Sequence, residues 1–224
     1  MKTNFLRIVA LTAILAFASC SKEEDSADMG FDGSLTSIED FYTPELVRAL
    51  DSLGFEMNLG NKPPKIEGTY HVKPMLLKSS SVPGDIVGSQ FNNYEVTFSN
   101  QDNGKLTIDY FGDQGVEIDE GYGSFISGEN DKFSVFLITT SDIGSYTADS
   151  AISLSGRIVE GGIENIQMAF VMLDNKENEG GVFIGNNTGR IVYDSDYFSE
   201  KVENTKELNS MESYGASMMQ IKVQ

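Results

Sequence analysis

The chain has one cysteine, one histidine and no tryptophan among its 224 residues. A lone cysteine excludes an internal disulfide framework, and with a lone histidine it excludes zinc sites that need several Cys or His ligands. Basic residues are also scarce, with 16 Lys and Arg against 34 Asp and Glu and a net charge of −18. A field of that sign excludes nucleic-acid binding through general electrostatics. The apolar stretch Ile8 to Ala18 has eleven residues, too short to span a bilayer comfortably. What is present is 40% hydrophobic residues, enough for a real core.

Residues 1–19 read as an export signal, with Lys2 and Arg7 as its positive start. The stretch ends in Phe17-Ala18-Ser19-Cys20. Small residues before a single cysteine resemble the lipobox of bacterial lipoproteins, and an ordinary signal peptide with an incidental cysteine is the alternative. The resemblance implies cleavage before Cys20 and acylation of its thiol, which makes the membrane a partner through acyl chains. Ser21-Lys22-Glu23-Glu24-Asp25 follows and resembles the surface-export signal of Bacteroidota-type lipoproteins. That implies an outer-membrane, cell-surface location, where a purely solvated charged tether is the plainer reading. Residues 20–33 are read as the acylated cysteine and a flexible acidic tether.

Residues 34–224 read as one domain, with an uncertain tail from 199. Thr43 and Pro44 predict a helix start, Leu46, Val47, Leu50 and Leu53 its apolar face, and Gly54 its stop. The segment Asn61 to Pro64 is expected to be a rigid linker outside any sheet. From Ile66 the period becomes two. Tyr94, Val96 and Phe98 alternate with polar residues, as do Leu106, Ile108 and Tyr110, across a turn at Asn103-Gly104. Val116 to Ile126, Lys132 to Thr140, Ala148 to Glu160, Ile163 to Leu173, Val182 to Ile184 and Gly189 to Tyr193 complete eight or nine strands. Asp194 to Ser213 reads as loop or helix, and Met219 to Val223 as a last strand.

A Gly68-Thr69-Tyr70 entry followed by a meander of about eight antiparallel strands resembles the lipocalin and calycin group. That implies an all-β, lipocalin-like barrel preceded by one short helix, with a β-sandwich as the alternative. The family carries Trp where this chain has Tyr70, and packs a late basic residue on it, for which Arg190 is the better-placed candidate over Arg157. A cavity for a small apolar or amphipathic ligand is implied, lined by Tyr94, Phe98, Ile108, Tyr110, Phe133, Phe136, Met168, Phe170 and Met172. The same stripe equally describes a packed core. In that case function moves to the outer surface and loops, engaging a protein or glycan.

Catalysis and metal binding find little support. His71 stands beside a serine-rich segment, Ser79 to Ser81, read as loop, with no Gly-x-Ser-x-Gly to present a nucleophile. Asp119-Glu120 has nothing in the sequence that forces burial of a carboxyl. The acidic turns at Asp174 to Gly180 and Asp194 to Asp196 depart from the EF-hand pattern. No enzyme activity, cofactor or metal is therefore expected. Asp25-Ser26-Ala27, Asp51-Ser52-Leu53 and Asp149-Ser150-Ala151 resemble an O-glycosylation sequon of exported Bacteroidota-type proteins.

Overall fold

The computed structural model describes residues 30–115, 118–143, 146–178 and 180–202. Two helices come first, α1 (Leu35–Tyr42) and α2 (Pro44–Leu53). Strands follow as β1 (Asn61–Lys62), β2 (Gly68–Val72), β3 (Met75–Ser80), β4 (Tyr94–Asp102), β5 (Thr107–Asp113) and β6 (Ile118–Glu129). The series ends with β7 (Lys132–Ile143), β8 (Tyr146–Val159), β9 (Gly162–Asp174), β10 (Gly189–Asp194) and β11 (Phe198–Val202). The sheet runs β11-β2-β4-β5-β6-β7-β8-β9-β10-β3, and β11 also pairs with β9. β2 and β3 act as one bent strand, and so do β10 and β11. The result is a closed antiparallel barrel of eight strand positions, so the sandwich alternative is excluded.

Alternation sorts the side chains into two cores. Inside lie Tyr70, Val96, Phe98, Phe133, Leu154 and Phe170, among others. Outside, a second core joins the helices to the β7–β10 wall through Ile38, Tyr42, Leu50, Phe136, Val171 and Ile191. Small outward residues let the helices approach this wall: Ala151, Ser153 and Ala169 lie below them, and a Cβ on Gly189 would sit 3.2 Å from Leu53 Cδ1. Burying Ile38 and Leu50 fully contributes about 1.5–3 kcal/mol each. Tyr42 adds a polar tie. Its buried hydroxyl donates to Ile152 O (2.6 Å) and accepts from Leu137 N–H (3.0 Å).

The predicted helix is α2: Thr43 Oγ1 accepts from Leu46 N–H, and Gly54 ends it in the left-handed region at φ 84°. The sequence reading missed α1, which Ser34 caps by accepting from Ser37 N–H. Phe31, assigned to the tether, is buried and stacks on Phe125 at 4.4 Å. Asn61 and Lys62, read as unable to join a sheet, pair in parallel with Gly128 and Glu129 because the prolines come only after them. Ser79 and Ser80 are strand, not loop. Val182 to Ile184 is loop, not strand, and it seats Phe183 and Ile184 in the inner core. The segment Phe198–Val202, expected as loop or helix, is the closing strand. The export signal, Cys20, most of the tether and Met219 to Val223 lie outside the described residues.

Tyr42→Phe should lower the unfolding free energy by about 1–3 kcal/mol, because it strands a buried carbonyl and N–H. Urea denaturation measures this, and an unchanged midpoint would show that the hydroxyl contributes nothing to docking.

Candidate functional site

Eight of the nine predicted lining residues converge inside the barrel: Tyr94, Phe98, Ile108, Tyr110, Phe133, Met168, Phe170 and Met172 all belong to the inner core. Phe136 does not. Phe133, Val135 and Leu137 point inward, so the two-residue period turns Phe136 outward, under Tyr42 and Phe31. These side chains pack against one another in the interior. The Phe98 ring stands 6.2 Å from that of Tyr70 and 6.1 Å from those of Tyr110 and Phe133. Val82, Phe183 and Ile184 add apolar bulk from the loops after β3 and β9.

One polar cluster interrupts this interior. Tyr94 Oη donates to Asp119 Oδ2 (3.0 Å), Ser141 Oγ donates to Asp119 Oδ1 (3.0 Å), and the Tyr94 and Tyr110 hydroxyls are hydrogen-bonded. Asp119 is 2% exposed, contrary to the expectation that nothing buries it. Burial pushes its carboxyl up, against the hydrogen bonds from Ser141 and Tyr94. Burial, then the nearby Tyr110 and Asp119, push Tyr94 well up. Gly112 is required here, since a Cβ would collide with the Tyr94 hydroxyl. A signal was available in the sequence: two inward tyrosines need partners for their buried hydroxyls.

The other sequence candidates serve structure. His71 Nε2 meets Glu95 Oε2 at 2.7 Å in a cross-strand pair. Ser79 donates to Leu53 O and Ser80 to Asp85, so neither is poised beside His71. Lys176 bridges Asp149 and Asp174, placing an ammonium where a metal was considered. Among the described residues no group of three or more His, Cys, Asp or Glu could hold a metal ion. Ser52 donates to Arg48 O on the exposed side of α2, whereas Ser150 is fully buried. Arg190 does not cover Tyr70. It grips Asp85 with two hydrogen bonds (2.6 and 2.8 Å) and ties down the loop after β3. Lys201 takes the expected place, with Nζ 5.7 Å from the Tyr70 ring centroid and donating to Glu67 O.

A concavity of about 640 Å³ opens on the outer wall, on the strands that carry the helices, beyond the helix-covered part. Its floor is Ser155, Gln167 and Tyr193, which face one another in register across β8, β9 and β10. Glu56 and Asn58, from the segment after α2, form one side. Asn58 is clamped there, its N–H donating to Ser134 Oγ (2.8 Å) and its Nδ2 to Phe133 O (2.9 Å). Arg157, Asn165 and Tyr197 contribute elsewhere, and Val87 contributes from the loop after β3. Lys78 Nζ donates to Gln167 Oε1 (2.9 Å), and the Tyr193 and Tyr197 rings lie 5.8 Å apart. Ser155 Oγ is buried in the floor without a hydrogen-bond partner among the described residues. Of this lining the sequence points only to the loop Ser79 to Ser89, which contributes Val87 and Gly88, as a place for surface function.

Asp194 yields a pH prediction. Burial pushes its carboxyl up to about 6, opposed by hydrogen bonds from Ser199 and Lys73 N–H and reinforced by Asp196. Its value in the unfolded chain is about 3.9. Its favourable contribution is therefore complete below about pH 4 and is lost as the pH rises through about 6. Asp194→Asn should flatten that decline in urea-unfolding free energy between pH 4 and 7, and an identical slope in the variant would refute the assignment. Comparison of the chain with protein-family models, curated proteins and solved structures finds no match to any of them.

Proposed function

We propose that this protein is a lipid-anchored, non-enzymatic binding module displayed at the outer-membrane surface, and that it takes its ligand on the outer wall of the barrel. The observation that carries the reading is the groove over Ser155, Gln167 and Tyr193. Its volume falls within the range of about 300–1,000 Å³ typical of small-molecule sites, while the inner candidates are packed ring against ring. The anchor rests on Cys20, and outward display on the acidic run after it.

A second reading places a small apolar or amphipathic ligand inside the lipocalin-like barrel. What favours it is the Asp119, Tyr94, Tyr110 and Ser141 cluster, a polar end to an otherwise apolar interior.

Native mass spectrometry of the mature protein, extracted gently from its membrane, separates the two. On the groove reading, an adduct survives in Asp119→Asn and is lost from Tyr193→Ala, and the reverse pattern would establish the interior site. Cys20→Ala should lose acyl labelling and membrane recovery together. A variant still recovered in the outer membrane would refute the anchor.

A further inference from the structure

Resting on the groove reading, we propose that the groove binds a neutral, hydroxyl-rich ligand, a short oligosaccharide, with Ser155 as its floor hydrogen bond and the tyrosines as its stacking surface. The first observation is the orphan hydroxyl. Buried polar atoms in folded proteins almost always have partners. Ser155 lines the groove, and its Oγ is buried with no partner among the described residues. A hydroxyl both donates and accepts, which suits a sugar hydroxyl. Beside it, Gln167 accepts from Lys78 through Oε1, and no hydrogen bond among the described residues uses its amide N–H groups.

Aromatic surface is the second observation. Tyr197 is 57% exposed, and its ring is tilted 40° from that of Tyr193. Such faces cover the C–H side of a pyranose ring while the phenol hydroxyls stay wet. An acyl chain suits this lining badly, because of its fifteen residues only Leu77, Val87 and Ile166 are aliphatic.

Charge decides the rest. Lys78, Lys132 and Arg157 bring three positive charges to the lining. Glu56 stands 3.9 Å from Lys78, and Asp131 and Glu164 both pair with Arg157, so three negative charges balance them. The local sum is zero, while the whole chain carries −18. An anionic ligand meets repulsion from that field, and a cationic one finds these carboxylates already paired.

The test uses the purified full chain in detergent, titrated by calorimetry with defined neutral hexasaccharides of glucose, mannose and xylose. Oligogalacturonate of equal length and a Gly/Ser hexapeptide serve as the charged and peptide arms. Binding of at least one neutral oligosaccharide is expected. Ser155→Ala should weaken it about fivefold, the loss of one hydrogen bond, without lowering the melting temperature, since the hydroxyl satisfies nothing in the fold. Tyr197→Ala, at an exposed position, should weaken it about tenfold or more. Tighter binding of oligogalacturonate that Tyr197→Ala abolishes would overturn the neutral class and keep the groove. Neutral binding untouched by both variants would overturn the groove itself. Binding of the peptide alone, or of nothing in the panel, would overturn the oligosaccharide proposal.

Discussion

Closure of the barrel is the constraint on which the rest depends. The chain from Gly189 to Val202 pairs with β9 along one edge and with β3 and β2 along the other. Without it the first and last strands would present bare edges, which invite pairing with other chains. Once the sheet closes, each side chain is assigned to an inside or an outside. An eight-stranded barrel has room for its own side chains or for one small ligand. Here Tyr70, Phe98, Tyr110 and Phe133 cluster within it. Each end of the closure has its own lock: Lys201 lies over Tyr70 at one, and the Arg190–Asp85 pair holds the loop after β3 at the other.

Most of this was legible because alternation is a direct consequence of strand geometry. Tyr94-x-Val96-x-Phe98 and Ile108-x-Tyr110 state their inward face outright, and Thr43-Pro44 states a helix start. The failures have separate physical causes. Phe136 is apolar because helices cover the outer wall, and a strand buried on both faces loses the contrast that would tell its sides apart. The closing strand Phe198–Val202 is polar because its pairing is through the backbone, with Ser199 and Lys201 bound to specific partners. α1 was invisible because its two buried residues, Ile38 and Tyr42, give too short a stripe.

The groove was illegible for a different reason. Ser155, Gln167 and Tyr193 lie on three separate strands, and each alone reads as an ordinary polar position on the outer face. Only register brings them side by side, and only the clamped Asn58 segment gives the row a wall. Asp119 shows the same limit from the inside. Its burial comes from Tyr94, two strands away in the sheet, and Ser141, across the next pairing.

The packed rings inside the barrel and the groove outside it share one wall. The groove floor rests on β8 and β9, whose other faces carry Leu154, Met168 and Phe170 in the inner core. Those side chains are buried and closely packed, so the strands beneath the floor have little freedom to shift. The helices pin the adjoining part of the same wall through Tyr42, and the chain leaving α2 is fixed over β7 through Asn58. Ser155, Gln167 and Tyr193 are thus held in place, as the proposed site requires. The polar residues of the outer wall gain their fixed geometry from the apolar residues behind them.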